Sequence, residues 1–259
     1  MKENKMNLPK ILHPVFEVEV PSTKEKIKMR PMLVREEKIL LMAREGDEKE
    51  DIISAIKQVV NNCLETEIDL DKIALVDVEY LFLRLRSMSV SNTTKVSYID
   101  NDERTTNINN GDEPEKAAAK ATYTFDVDFD KVVVKFPEKM ETDIKVSDKV
   151  SIVMRYPPAS LYSNKEFLAS EGQKLVDILV SESIDKIYDG KDITDVAATK
   201  KPDKDLNEWL SNLDIKTYDK IRTFLNDLPT LSYDINYTNK NGKEVTIKLT
   251  TLNDFFMLA

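Results

Sequence analysis

Histidine, cysteine and glycine are scarce in this 259-residue chain, and each scarcity excludes a class of function. There is one histidine, His13, one cysteine, Cys63, and five glycines, none adjacent to another. Phosphate-cradling loops need clustered glycines whose N–H groups approach the ligand, so nucleotide and dinucleotide sites of the familiar kinds are not expected. A lone Cys63 closes no internal disulfide and builds no cysteine metal cage, which suits a reducing compartment. His13, in "ILHPVF", has no visible orienting partner for acid–base chemistry and reads as a structural or surface residue. His13 and Cys63 match no zinc spacing. No apolar run approaches the length of a membrane span, and the start lacks the apolar core and cleavage site of a secretory signal.

What is abundant is charge. Charged residues make up 33% of the chain against 41% hydrophobic, and the net charge is −9. That composition suits a soluble globular protein with a buried core. An acidic body repels phosphate backbones, so nucleic acid is not an expected partner.

Residue patterning predicts an α+β fold of antiparallel hairpins and helical clusters in two units. The first unit covers 1–90. In "PVFEVEVPSTKEKIKMRP", Phe16, Val18 and Val20 alternate with Glu17 and Glu19, and Ile27 and Met29 alternate with lysines, which predicts a hairpin ended by Pro31. A helix follows with Val34, Lys38, Leu41 and Met42 at helical spacing, and Gly46 is a candidate left-handed cap. Asp47 and Glu50 resemble a capping box for a second helix striped by Ile52, Ile56, Val59, Val60 and Cys63. Cys63 continues that stripe and reads as a small buried hydrophobe. A third helix from about Asp77 carries Val78, Leu81, Phe82, Leu85 and Met88.

Residues 91–122 read as a polar insert, a long loop or hairpin tip, with one brief strand candidate at 95–99 and a short helical candidate in "EPEKAAAKA". The second unit covers 123–259. Tyr123, Phe125, Val127 and Phe129 alternate with Asp126, Asp128 and Asp130. The calcium-loop reading of "DVDFD" fails because Lys131 and Pro137 stand where glycine and glutamate are needed. A strand follows at "VSIVMRYP". A long helical region is expected from Lys165 to Tyr188, stopped at Gly190, and two shorter helices have Trp209, Leu210, Leu213, Ile221, Phe224 and Leu225 as their core face. A last hairpin turns at Asn241-Gly242.

The ending "LNDFFMLA" is apolar where termini are usually polar and frayed. Leu252, Phe255 and Phe256 fold back onto the core in the preferred reading. In the alternative, Leu252, Asp254, Phe255 and Phe256 are a partner-binding tail that enters a groove on another protein.

The blocks "RPMLVREEKILLMAREGD", "AIKQVVNNC", "DVEYLFLRLRSMSV" and "FLNDLPTLSYDINYTNKNGKEVTIKLTTLNDFF" resemble baseplate hub subunits and hub-assembly proteins of T-even-type contractile-tailed bacteriophages. The likeness covers most of 7–90 and 144–259, and the N-terminal unit also resembles a tail assembly chaperone domain. It implies a non-enzymatic protein of the host cell cytoplasm that helps build the baseplate hub, with hub or tape-measure components as partners. The same likeness admits a permanent hub subunit in the virion tail baseplate. Some relatives carry cysteine pairs within the region matching Ser91–Ala121, and this chain has none there, so no metal or other cofactor is implied. A carboxylate-dependent hydrolase acting on cell wall is the reading from another class, since 47 acidic residues offer many carboxylate pairs.

Overall fold

The computed structural model describes residues 9, 11–46, 49–100, 121–199 and 204–256. The alternating start becomes β1 (Phe16–Glu19) and β2 (Lys26–Met29), paired with Glu17 opposite Lys28 and Glu19 opposite Lys26. Val18 and Ile27 point inward and are buried, while Glu17 and Lys26 meet at 2.9 Å in solvent. Three helices follow: α1 (Val34–Glu45), α2 (Lys49–Cys63) and α3 (Leu75–Ser89). The stripe on α2 is in the core, with Ile56, Val59, Val60 and Cys63 buried. Helix α3 is enclosed more fully, because Leu83 is buried as well as Val78, Leu81, Phe82 and Leu85. At its start, the buried Asp77 carboxylate accepts hydrogen bonds from the Ala74 N–H and from the N–H and hydroxyl of Ser22. This ties the β1–β2 turn to the helix end, where a carboxylate is favoured.

The polar segment after α3 opens with an extended ladder. Strand β3 (Thr93–Asp100) pairs antiparallel with β4 (Ala121–Asp128), from Thr93 opposite Asp128 to Asp100 opposite Ala121. The strand expected at 95–99 is therefore present and longer. The helical candidate in "EPEKAAAKA" lies outside the described residues, as does the Asp47–Glu50 capping box.

Beyond β4, the short strand β5 (Val133–Lys135) pairs with β10 (Thr230–Thr238), almost a hundred residues later. Between them lies a second core. Strands β6 (Asp143–Lys145), β7 (Val150–Met154), β8 (Ile184–Asp189) and β9 (Asp192–Asp195) form an antiparallel sheet in that order. The short helix α4 (Lys165–Leu168) packs Phe167 and Leu168 against the first core, whereas α5 (Gly172–Glu182), α6 (Lys204–Ser211) and α7 (Ile215–Asn226) complete the second. Ile144, Ile152, Val180, Ile184, Leu210, Ile221 and Phe224 fill this core. The chain ends with β11 (Glu244–Leu249), paired with β10 around Gly242, whose φ of +77 suits the expected Asn-Gly turn, and with α8 (Leu252–Phe256).

Three expectations need correction. The helix expected from Lys165 to Tyr188 is two helices and a strand. Its apolar residues from Ile184 onward face β7, with Ile187 opposite Ile152, and Gly190 (φ +64) turns the β8–β9 hairpin. A short apolar run fits either period, and two neighbouring strands decide it here. Gly46 is right-handed, at φ −70, because its N–H still bonds the Met42 carbonyl and the helical turn continues. Finally, the cores do not divide at residues 90 and 123. One core gathers Val18, Leu81, Val127, Leu231, Leu249 and Phe255, so the last hairpin closes the N-terminal unit and the second core is inserted between β5 and β10.

Candidate partner-docking surface

Helix α1 is apolar on two opposite sides. At 3.6 residues per turn, Ile39, Leu40 and Ala43 share one face with Glu36, while Val34, Lys38, Leu41 and Met42 lie on the other. The first face rests on the N-terminal core. The second is in solvent, with Val34 at 66%, Leu41 at 42% and Met42 at 65% exposure. The residues whose spacing announced the helix are thus its outer side. Ordinary amphipathic helices hide that stripe.

An ion pair holds α1 in this orientation. Among the residues of α1, Glu36 alone is fully buried, and its carboxylate sits 3.0 Å from the Arg30 guanidinium at the end of β2. Arg30 also donates to the Asn62 carbonyl at 2.6 Å and the Pro31 carbonyl at 3.0 Å, and lies 3.6 Å from Cys63 Sγ. Glu36 further accepts from Arg35 Nε at 2.7 Å and the Leu33 N–H at 2.9 Å. Burial alone would push this carboxyl upward, but hydrogen bonds from Arg30, Arg35 and Leu33 outweigh it and hold its pKa down to about 2. Burial, the largest influence on Cys63, pushes its thiol up to about 11, which makes it a poor nucleophile.

Further apolar surface lies at the same end. The β1–β2 register puts the residues before Phe16 beside the β2 exit into α1, and there Ile11, Leu12 and Val15 are exposed. The Met32 N–H donates to Ser89 Oγ at 2.9 Å, which brings the exposed Val90 to the start of α1. Exposed apolar side chains of this kind make the surface a candidate interaction site.

The C-terminal candidates lie elsewhere and are largely internal. Leu252 and Phe255 are buried, and Phe256 is half-buried with its ring 5.7 Å from Phe82 and 5.8 Å from Phe129. Asp254 accepts from the N–H groups of Thr250 (2.8 Å) and Thr251 (2.9 Å) and so caps α8. The fold-back reading describes their placement. Beside them, a groove of about 240 Å³ runs between α2, α3 and α8, lined by Ile52, Ile53, Ile56, Glu79, Tyr162 and Leu252. The Tyr162 hydroxyl donates to Glu79 Oε1 at 2.6 Å. Burial, only partly offset by that bond, raises the Glu79 pKa to about 7, with Asp254 adding to the rise. Sequence reasoning missed both Arg30–Glu36 and Glu79, because nothing in periodicity separates a buried acid from a solvated one.

With this geometry in view, one comparison is decisive. A family model described as T4 bacteriophage base plate protein matches residues 13–257. The chain belongs to that family. Neither a curated protein nor a solved structure matches it. A T4-type base plate protein works among other tail and base plate proteins, so its apolar outer surfaces bear directly on its role.

The remaining candidates in this base plate protein are accounted for locally. His13 is exposed just before β1. Asp128 caps the turn Phe129–Lys131 by accepting from the Asp130 N–H at 3.0 Å, and Asp130 pairs with Arg84 at 2.8 Å. Among the described residues, no group of three or more His, Cys, Asp or Glu is placed to hold a metal. A cavity of about 520 Å³ lies among α5, α6 and α7 and is bordered by Asp177 and Asp219. Asp177 accepts from Gln173 at 2.8 Å, and Asp219 lies 3.6 Å from Arg222, so each is engaged within its own helix. No helix among the described residues is long and apolar enough to cross a membrane.

Proposed function

We propose that this base plate protein is a non-enzymatic assembly factor of the baseplate hub. It acts in the host cytoplasm by holding hub or tape-measure components until they are incorporated. The outward apolar face of α1 is the observation that carries this reading. Val34, Leu41 and Met42 would each contribute about 1.5–3 kcal/mol if fully buried by a partner. Association itself costs an estimated ~4–15 kcal/mol, so a stripe this size supports reversible capture. Reversible capture is what an assembly factor requires. The buried Arg30–Glu36 pair keeps the stripe facing outward without help from the partner.

A second reading, a permanent hub subunit, draws on Ile11, Leu12, Val15 and Val90. If these residues join the α1 stripe in one interface, the buried area grows toward that of lasting assemblies.

The test is pull-down of the tagged protein from infected cells, with purified mature virions examined alongside. The assembly-factor reading expects tail proteins in the pull-down and the chain absent from virions. Fixed stoichiometry in virions would establish the permanent subunit instead. Replacing Leu41 and Met42 together by Asp should abolish capture while stability changes by less than about 0.5 kcal/mol, as for other surface substitutions. Unchanged capture would remove α1 from the interface. Cell-wall hydrolysis by the purified protein would overturn the non-enzymatic part.

A further inference from the structure

The groove beside α8 has a chemistry that the α1 face lacks. It is lined by Ile52, Ile53 and Ile56 of α2, by Thr251, Leu252 and Asn253 at the start of α8, and by one carboxyl, Glu79. Tyr162 engages Glu79 Oε1 at 2.6 Å, and among the described residues Oε2 accepts no hydrogen bond. The nearby Asp254 adds negative potential. On the same helix as the isoleucines, Lys57 does not supply the missing countercharge, since it is bound to Asp71 and, at 2.8 Å, to Ser163.

We propose that this groove takes the side chain of a lysine from a partner protein, with its ammonium on Glu79 Oε2 and its butyl stem against Ile52, Ile56 and Leu252. Size and charge both select this occupant. A cavity of about 240 Å³ falls below the ~300–1,000 Å³ usual for small-molecule sites and suits one long side chain. An unbranched chain that is apolar along its length and charged at its tip matches a mostly apolar lining that holds one carboxylate. Arginine fits less well. Its planar fork seeks both oxygens of a carboxylate, and Tyr162 already occupies one, whereas an ammonium needs a single acceptor. The inference rests on the reading of this chain as a protein-binding tail component, and it gives that binding a second, charged contact.

The test titrates the full-length protein at pH 8 with n-butylammonium chloride, following isoleucine and leucine methyl signals by NMR against sodium chloride and 1-butanol controls. Butylammonium should move the Ile52, Ile53, Ile56 and Leu252 methyls with a Kd on the order of millimolar, as its few heavy atoms allow. Butanol should bind at least about tenfold more weakly, because it lacks the charged hydrogen bond. The isosteric Glu79→Gln variant should keep its methyl spectrum and lose the response. Equal binding of butanol and butylammonium, no saturable shift at these four residues, or an undiminished response in Glu79→Gln would each overturn the proposal. Capture through α1 is read separately by the Leu41 and Met42 substitutions, so a failure here would leave the assembly-factor reading standing.

Discussion

Glu36 and Glu79 are both glutamates drawn into the N-terminal core, and their surroundings treat them in opposite ways. Glu36 lies on α1 against Arg30, also accepts from Arg35 and the Leu33 N–H, and has its pKa held down to about 2. Glu79 lies on α3 among isoleucines with one tyrosine hydroxyl, and burial raises its pKa to about 7. The first arrangement is closed: its charge is met and it holds a joint. The second is open, since half its carboxylate faces a groove. The difference shows that burial does not by itself assign a role to an acid. The partners that come with burial do.

The largest expected effect comes from breaking the closed site. Arg30→Ala leaves the buried Glu36 with only the exposed Arg35 as countercharge, and should cost about 3–5 kcal/mol by urea denaturation. Replacing both, as Arg30→Met with Glu36→Leu, should cost much less, because no uncompensated charge remains.

Next come the two pH limbs, which have opposite signs. Glu36 has a folded pKa below its ordinary value of 4.5. Its contribution of about 3 kcal/mol is therefore present above pH 4.5 and lost as pH falls toward 2. The stability difference between the native protein and Glu36→Gln should shrink over that window. Glu79 has a folded pKa above its ordinary value, so its contribution is present below pH 4.5 and lost as pH rises through 7. The native protein should thus lose up to about 3 kcal/mol relative to Glu79→Gln between pH 4.5 and 8. A difference that stays flat with pH would show that Glu79 is not desolvated.

The smallest effect sharpens the open site. Tyr162→Phe removes the one hydroxyl that favours the Glu79 carboxylate, so the Glu79 pKa measured by carbon NMR should climb further above 7. The stability change should be about 1 kcal/mol.

Much of the fold was legible because it follows from local periodicity. The first and last hairpins, the buried stripes of α2 and α3, and the core faces of α6 and α7 all lie where spacing put them. The β8 strand was not, because its apolar residues fit a helical period as well as an alternating one. The docking surface was half legible. Val34, Leu41 and Met42 were visible as an apolar stripe, but the neighbouring Ile39, Leu40 and Ala43 compete for the core, and spacing does not say which face wins.

Length, charge and the scarcity of glycine, histidine and cysteine belong to the sequence alone as totals over the chain, and the alternation and stripes do because they depend on residues within a turn or a strand of one another. Contacts between distant parts of the chain decided the rest. Pairing of β5 with β10 placed the second core as an insertion. Arg30, reaching Glu36 and Asn62 together, turned one apolar face of α1 to the solvent. Tyr162, arriving from far along the chain, left Glu79 half satisfied in the lining of a groove. These outcomes depend on which groups share a desolvated space, and that is a property of the folded molecule.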